Sequence, residues 1–263
     1  MTLDVIIPTH QPEGIHRVAK MQLPRCEGVN FIVSWQNHLN TEIPKALLRE
    51  DIRIYRFDQS GLSRNRNNAI SHSKADLIYL SDDDLIMEPD IFSKILRRFE
   101  EYPDTQVATF MMKESFSKIY PKEVTELGFY LPKNYSVGGP QIAFRRELYP
   151  DLKFNELFGP KSGIFECGED EIFHLSARKR GLKCRFFPDI ITSHPHEATG
   201  VRKIKDRGDI YGMGAVITKS YPKTFFLRIP VKAYRMYKNG RYGFLPGLRD
   251  LIIGSIKSIN IRI

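Results

Sequence analysis

Short apolar runs alternate with helical patterns over the first hundred residues, and this alternation is what most restricts the fold. Leu3 to Ile7 is a continuous apolar strand stopped by Pro8-Thr9-His10. Val29 to Ser34 reads as a second strand, Ile52 to Phe57 as an alternating third, and Leu77 to Leu80 as a short buried fourth. Between them lie a weak helical pattern from Glu13 to Gln22, a short helix from Ile43 to Leu48, and a helix from Gly61 to Ser73 opened by Ser60 or Ser63. A further helix, Pro89 to Phe99, collects Ile91, Phe92, Ile95, Leu96 and Phe99 on one face. Strands in such an alternation pair parallel, with helices covering both faces of the sheet. The expectation is therefore an α/β fold with a mostly parallel central sheet. Ligands of open sheets of this kind bind beyond the carboxyl ends of the strands. That places Pro8-Thr9-His10, Ser34-Trp35-Gln36 and Ser81 to Asp84 along one edge.

The fourth strand ends on three consecutive carboxylates, Asp82-Asp83-Asp84. Like charges at the end of a buried strand repel one another and resist desolvation. A divalent cation carrying a phosphorylated ligand would relieve both, since hard oxygen donors suit Mg²⁺ and Mn²⁺. The alternative is a solvated acidic turn in which Asp serves as turn former and helix cap.

Past residue 100 the pattern changes. Val107 to Met112 is a strand, Ser115 to Val137 is irregular, and Gly138-Gly139-Pro140 leads into a strand from Gln141 to Phe144. Phe154 to Phe165 is read as a loop. Cys167-Gly168-Glu169-Asp170-Glu171 opens a helix that packs Ile172, Phe173, Ser176 and Ala177 and ends at Gly181. Acids in a first helical turn favour the macrodipole, so Glu169 to Glu171 have a purely structural reading too. Lys183 to Phe187 is a strand, and Ile190 to Ser193 leads into His194-Pro195-His196.

With 263 residues, 41% of them hydrophobic and 27% charged, the chain can bury a sizeable core. Its three cysteines, Cys26, Cys167 and Cys184, show no metal spacing and are expected as free thiols in a reducing cytoplasm. The N-terminal residues lack the basic segment of a secretory leader, and no apolar stretch has the length of a membrane span. The net charge is +9, yet Arg202 to Ile263 holds 14 Lys/Arg against 3 Asp/Glu, so the basic character belongs to the tail. Such asymmetry points to an anionic surface, membrane or nucleic acid.

Several fragments, in order, resemble family 2 glycosyltransferases, which have the Rossmann-like GT-A fold. Leu3 to Thr9 resembles the opening strand of that family, and Gly61-Leu62-Ser63-Arg64-Asn65-Arg66-Asn67 its Gly-x-Ser-x-x-Arg-Asn helix. Ile78 to Asp84 is similar to its acidic metal motif, Gly138-Gly139 to its acceptor-side segment, and Gly168-Glu169-Asp170 to its Glu-Asp motif. The resemblance covers roughly residues 1–200. It implies a nucleotide-binding half over 1–100 and an acceptor-binding half over 101–200; the composition beyond it sets 201–263 apart as a basic, aromatic-rich helical region.

The resemblance further implies an inverting, metal-dependent transfer from a nucleotide-diphosphate sugar to a glycan or lipid-linked glycan hydroxyl. Asp170 would be the base, and Glu169 would orient it or the acceptor, together with Gly138 and Gly139. Pro8, Thr9, Trp35, Gln36, Arg64, Arg66, Asn67, Asp82 and Asp83 would bind the donor; guanidinium groups fork onto phosphate oxygens. Mn²⁺ or Mg²⁺ would be held by Asp82, Asp83 and Asp84 with one of His194 and His196. Two registers of the acidic motif are open: Asp82-x-Asp84, or a longer form in which Ser81 replaces the first acid and Asp83 binds the metal.

After the second strand, where many members carry acids, this chain has Ser34-Trp35-Gln36-Asn37, so a donor other than a uridine nucleotide is open. Trp35 could stack on a base, and Gln36 or Asn37 could bond its edge. The tail mixes Lys223, Arg228, Lys232, Arg235, Lys238 and Arg241 with Phe, Tyr, Ile and Leu, as in segments that lie at a membrane interface. The family analogy implies a cytoplasmic enzyme, peripheral on the inner membrane face, in bacterial surface polysaccharide assembly. Nucleic acid is not expected as a partner, since no recognition module accompanies the charge. The rival readings are a nucleotidyltransferase, although Pro8-Thr9-His10-Gln11-Pro12 lacks a phosphate-loop pattern, and a non-catalytic nucleotide-binding or membrane scaffold.

Overall fold

The computed structural model describes residues 1–113, 120–132, 135–194, 204 and 206–263. Two compact units emerge. The first comprises Met1–Ser60, Arg64–Lys153 and Ser176–His196; the second comprises Gly61–Ser63, Phe154–Leu175 and Glu197–Ile263.

The first unit is a nine-stranded sheet. Its parallel part is built from β1 (Leu3–His10), β2 (Val29–Gln36), β3 (Ile52–Phe57) and β4 (Leu77–Leu80), in spatial order β3-β2-β1-β4. The remaining strands are β5 (Ile86–Met87), β6 (Val107–Met112), β7 (Thr125–Glu126), β8 (Ile142–Arg145) and β9 (Cys184–Ser193). β8 enters antiparallel between β4 and β6, which makes the sheet mixed; β6 and β9 are parallel, and β5 and β7 run antiparallel to β9. Helices α1 (Pro12–Lys20) and α3 (Ile91–Glu101) place Ile15, Val18, Ile91, Phe92, Ile95 and Phe99 in one cluster with Leu3, Val5 and Ile7. Only β1 residues of one parity join this cluster, yet Leu3 to Thr9 are all buried, so the near-continuous apolar sequence reflects a sheet covered on both faces.

One buried charge ties this unit together. Asp4, fully buried in β1, accepts from Arg53 of β3 (3.0 Å), from the Ser73 hydroxyl (2.8 Å) and from the backbone N–H of Lys74 (2.9 Å) and Ala75 (3.2 Å). A buried carboxylate persists only with such partners. The three bonds from residues 73–75 fix where the chain enters β4, and the fourth ties in β3.

Several elements differ from expectation. The short helix expected from Ile43 to Leu48 is a single 3-10 turn, Lys45–Leu47, because Pro44 sets the extended residue that starts it. The two short segments expected around Pro188 are one strand, β9. A register shift against β6, from Thr109↔Phe186 to Met111↔Ile190, absorbs the proline. Helix α2 runs Leu62–Ser71. Ser63 does not cap it, since its hydroxyl donates to the Phe158 carbonyl at 2.6 Å.

The second unit holds α5 (Arg207–Ser220), α6 (Phe225–Lys238) and α7 (Phe244–Ser258), and its segment 154–175 contains the start of α4 (Glu169–Lys179). Ile210, Ile229, Ala233, Met236 and Leu251 form its core. Helices α5 and α7 approach to backbone distance: a Cβ on Gly214 would stand 2.2 Å from the Leu251 carbonyl, and one on Gly254 2.2 Å from that of Tyr211. Asp250, fully buried in α7, is forked by Arg207 (2.8 and 3.1 Å) and bonded by Arg249 (3.0 Å). Among the described residues, no helix is long and apolar enough to cross a membrane.

Candidate active site

Strand register brings the first unit's candidate residues to one edge. β1 and β2 end level, with Thr9 opposite Trp35 and His10 opposite Gln36. β4 is shorter: it stops at Leu80, opposite Ile6, and Ser81 N–H still bonds the Ile6 carbonyl at 2.8 Å. The three acids therefore leave the sheet beside the last residues of β1.

Each acid meets a different environment. Asp83, with a side chain 14% exposed, is forked by Arg17 of α1 (2.7 and 3.2 Å) and accepts from the Thr9 hydroxyl at 2.5 Å. The hydrogen bond to Asp83 raises the pKa of the Arg17 guanidinium further. Gly14 leaves the space that Thr9 occupies, since a Cβ there would lie 2.1 Å from Thr9 Oγ1. Asp82 receives Arg66 Nη2 at 2.9 Å from a guanidinium that is almost fully buried. A Cβ on Gly139 would stand 2.4 Å from that same nitrogen. The Gly138-Gly139 segment thus makes room for Arg66, a role that its sequence did not disclose.

Asp84 is the most open of the three, 48% exposed, and its Oδ1 lies 3.7 Å from Nδ1 of His194. The pairing of β5 with β9 (Ile86↔Ser193) produces this approach, holding in register the two strands that flank the pair. Arg17 and Thr9 thus occupy Asp83, whereas Asp84 and His194 face each other at the edge.

Second-layer bonds stiffen the edge. Asn65 donates to the Thr9 carbonyl (2.9 Å) and Asn68 to the Ser34 hydroxyl (2.8 Å), so α2 laces the ends of β1 and β2. Tyr79 donates to the Pro140 carbonyl at 2.9 Å, and burial pushes its pKa up. Gln141 accepts from Gly138 N–H (3.0 Å) and donates to the Phe110 carbonyl (2.8 Å), which holds the glycine segment in place.

Two expected donor contacts do not form as foreseen. Trp35 is fully buried, with its indole N–H on the Gln11 carbonyl at 2.8 Å, so it is a core residue and presents no platform to a base. Gln36 is buried, and its amide donates to the Gln59 carbonyl. Both point inward because β2 is covered on both faces right to its end. Pro8 lies level with Ser34 inside the buried part of β1. Asn67 is buried on α2, whereas Arg64 donates to the Ser60 carbonyl at 3.1 Å. His196 lies outside the described residues. Arg17 and Asn65, which fix Asp83 and Thr9, were missed; Asn65 at least stood within the recognised Gly-x-Ser-x-x-Arg-Asn stretch.

In the second unit, α4 begins directly after Gly168, whose φ of +94° favours glycine. Glu169 and Asp170, both half-buried, form its first turn. Gly159 lies under the Glu169 side chain: a Cβ there would sit 3.3 Å from its Cβ, Cγ and Cδ. Glu166 accepts from the N–H groups of Lys161 (2.5 Å) and Gly163 (2.8 Å), which closes the turn leading to this helix.

The sequence from 39 to 152 matches the family model for glycosyl transferase family 2. No curated relative matches the chain. Among solved structures it is similar to S. aureus TarS 1-349 in complex with UDP-GlcNAc, at a TM-score of 0.60 and 15% identity over 98% of this chain and 80% of that one. A longer TarS structure gives 0.58 at 15% identity, over 92% of this chain; only 44% of that protein is covered. Mannosyltransferase PcManGT from Pyrobaculum calidifontis, in complex with GDP-Man and Mn²⁺, gives 0.54 at 15% identity over 99% of this chain and 76% of that one. At such identities the likeness establishes the fold alone. Residues 39–152 thus match the glycosyl transferase family 2 model, and the chain has the GT-A fold of these solved structures.

Proposed function

We propose that the chain transfers a sugar, with inversion, from a nucleotide-diphosphate sugar to a hydroxyl of a glycan or lipid-linked glycan. The observation that carries this reading is the Asp84–His194 approach at 3.7 Å, beside two acids already held by arginines. A carboxylate oxygen and an imidazole nitrogen suit Mn²⁺, and Mg²⁺ less well. Among the described residues no third His, Cys, Asp or Glu completes a cluster. That fits a cation bound by few protein ligands together with substrate phosphates and water. When bound, it would neutralise the departing diphosphate.

The protein's own groups supply the rest. The Arg66–Asp82 and Arg17–Asp83 pairs preorganise the edge, so that Asp84 and His194 keep their places as the donor arrives. Asp170 takes the proton of the acceptor hydroxyl, whose oxygen bonds the anomeric carbon as the carbon–phosphate-oxygen bond breaks and its electron pair leaves with the nucleoside diphosphate. Glu169 positions the acceptor. The donor carries a diphosphate such as the UDP or GDP of the compounds bound by the neighbours. The setting, bacterial surface polysaccharide assembly at the inner face of the membrane, is an analogy at the level of family.

A thermal-shift panel with UDP, GDP, CDP, TDP and CMP, each with and without Mn²⁺, tests the reading. A ligand at a hundredfold excess over its Kd adds roughly 2.7 kcal/mol of apparent stability. The expected result is a Mn²⁺-dependent shift with one diphosphate, abolished in Asp84→Asn. No shift with any of them would count against the reading and favour a nucleoside triphosphate substrate, as in nucleotidyl transfer, instead.

A further inference from the structure

Helix α6 buries one side and exposes another that a soluble surface would not need. Ile229, Ala233 and Met236 enter the core of the second unit. Beside them and round to the opposite side, Phe226, Leu227, Val231, Tyr234 and Tyr237 are each at least half exposed. At 100° per residue they fall in one sector, with Lys238 inside it at its C-terminal end and Arg235 and Arg228 along one border. Helix α7 repeats the arrangement: Leu245, Ile252, Ile256 and Ile259 are exposed at helical spacing, with Arg249 in the same stripe. The two surfaces meet in an open cleft of about 540 Å³ lined by Tyr234, Tyr237, Phe244, Leu245 and Pro246.

The charge on this surface has one sign. From Tyr221 to Arg249 the sequence has seven Lys/Arg and no Asp or Glu. The nearest acid in sequence, Asp250, is fully buried and spent on Arg207 and Arg249. A large exposed apolar patch marks an interaction site. Tyrosines and cations around it are the composition of a helix lying in a lipid headgroup layer. A twofold pairing of this face with itself would set like charges against one another, which disfavours a second copy as occupant.

We propose that the exposed face of α6, with the Leu245 end of α7, docks onto an anionic phospholipid bilayer. Phe226, Leu227, Val231 and Leu245 enter the acyl boundary, Tyr234 and Tyr237 sit at headgroup depth, and Arg235 and Lys238 meet lipid phosphates. This surface lies wholly in the second unit, and its argument is independent of the transfer reaction.

The test is co-flotation of the full chain with vesicles of phosphatidylcholine alone and of phosphatidylcholine with phosphatidylglycerol. Binding is expected only to the second, weakened by high salt. Arg235→Gln and Lys238→Gln should each lower partitioning roughly fivefold. Leu227→Ser with Leu245→Ser should lower it about tenfold or more. These side chains are exposed, so thermal midpoints and the nucleotide-induced shift of the variants should be unchanged. Failure here thus leaves the donor reading intact, and failure of the donor panel leaves this one intact. Equal binding to both vesicle types, or binding to neither, would overturn the proposal. A concentration-dependent dimer in light scattering, abolished by Leu227→Ser, would instead assign the face to a second copy.

Discussion

The strand ends of the sheet unit and helix α6 of the helical unit use their cations in opposite ways. Around the strand ends, Arg17, Arg66, Arg53 and Arg49 are each committed to a carboxylate, Asp83, Asp82, Asp4 and Asp51 respectively. Three of these four arginines, those on Asp83, Asp82 and Asp4, are contributed by an element other than the acid's own. They hold strands, helix and turn in register. On α6, Arg235 and Lys238 stand in solvent with no acid in the same helix. A paired arginine is a structural tie with a short-range effect. An array of solvated ones produces a field that reaches about a Debye length. The difference teaches that net charge locates a partner surface only after the internal pairs have been subtracted.

Substitutions can break this contrast in order of size. The largest effect is expected at Asp84, the acid of the three that no arginine holds among the described residues. If Asp84 holds the cation as proposed, Asp84→Ala should lower turnover by about a hundredfold or more while the thermal midpoint stays put, because leaving-group neutralisation would be lost with the ligand. Equal loss from Asp83→Asn with no loss of stability would undo the distinction between the two acids.

Next come the ties themselves. Arg66→Leu should cost about 2 kcal/mol in urea denaturation, since Asp82 loses the partner that compensates its partial burial. Gly139→Ala should cost a similar amount, roughly 1–3 kcal/mol, by forcing the guanidinium aside. The double variant should cost less than the sum, because both act on one contact. Strict additivity would mean that Gly139 serves something other than Arg66. Arg17→Gln, half-exposed at the edge, should cost only about 1 kcal/mol.

Acid pH acts on the ties of both units. The hydrogen bond from Arg49 lowers the pKa of Asp51; for Asp250 burial pulls upward, but the bonds from Arg207 and Arg249 prevail and the pKa is lowered. Carboxylates with depressed folded pKa values contribute stability that is complete above the unfolded value of about 3.9 and is lost as pH falls below it. Urea midpoints should therefore decline below about pH 4, less steeply in Asp51→Asn than in the parent protein. The smallest effect is expected from Arg235→Gln with Lys238→Gln, within about 0.5 kcal/mol of the parent by the same measurement. A larger loss would mean that the α6 cations are ties as well.

Much of this molecule was legible in its sequence because the relevant signals are local. Apolar runs with period two or none, punctuated by Pro8, Pro44 and Gly181, gave the strands and helices of the first half and the start of α4. The acids after β4 and the Glu169-Asp170 turn were visible as charge where charge is unexpected. The excess of cations after residue 201 was visible as a count. The antiparallel entry of β8 was not visible, since pairing between distant strands leaves no periodicity in either.

Tertiary structure alone decided what those local signals do. It buried Trp35 and Gln36 because β2 is covered to its last residue, although the sequence placed them at an open edge. It separated three adjacent aspartates into two held by arginines from earlier helices, Arg17 of α1 on Asp83 and Arg66 of α2 on Asp82, and one that meets His194 across the β5–β9 pairing. It turned Gly139 from a candidate contact into the space for a guanidinium. The physical reason is the same in each case. A residue's type and spacing fix what it is able to bond, but burial and the choice among competing partners depend on segments tens to hundreds of residues away, and only the packed chain brings those together.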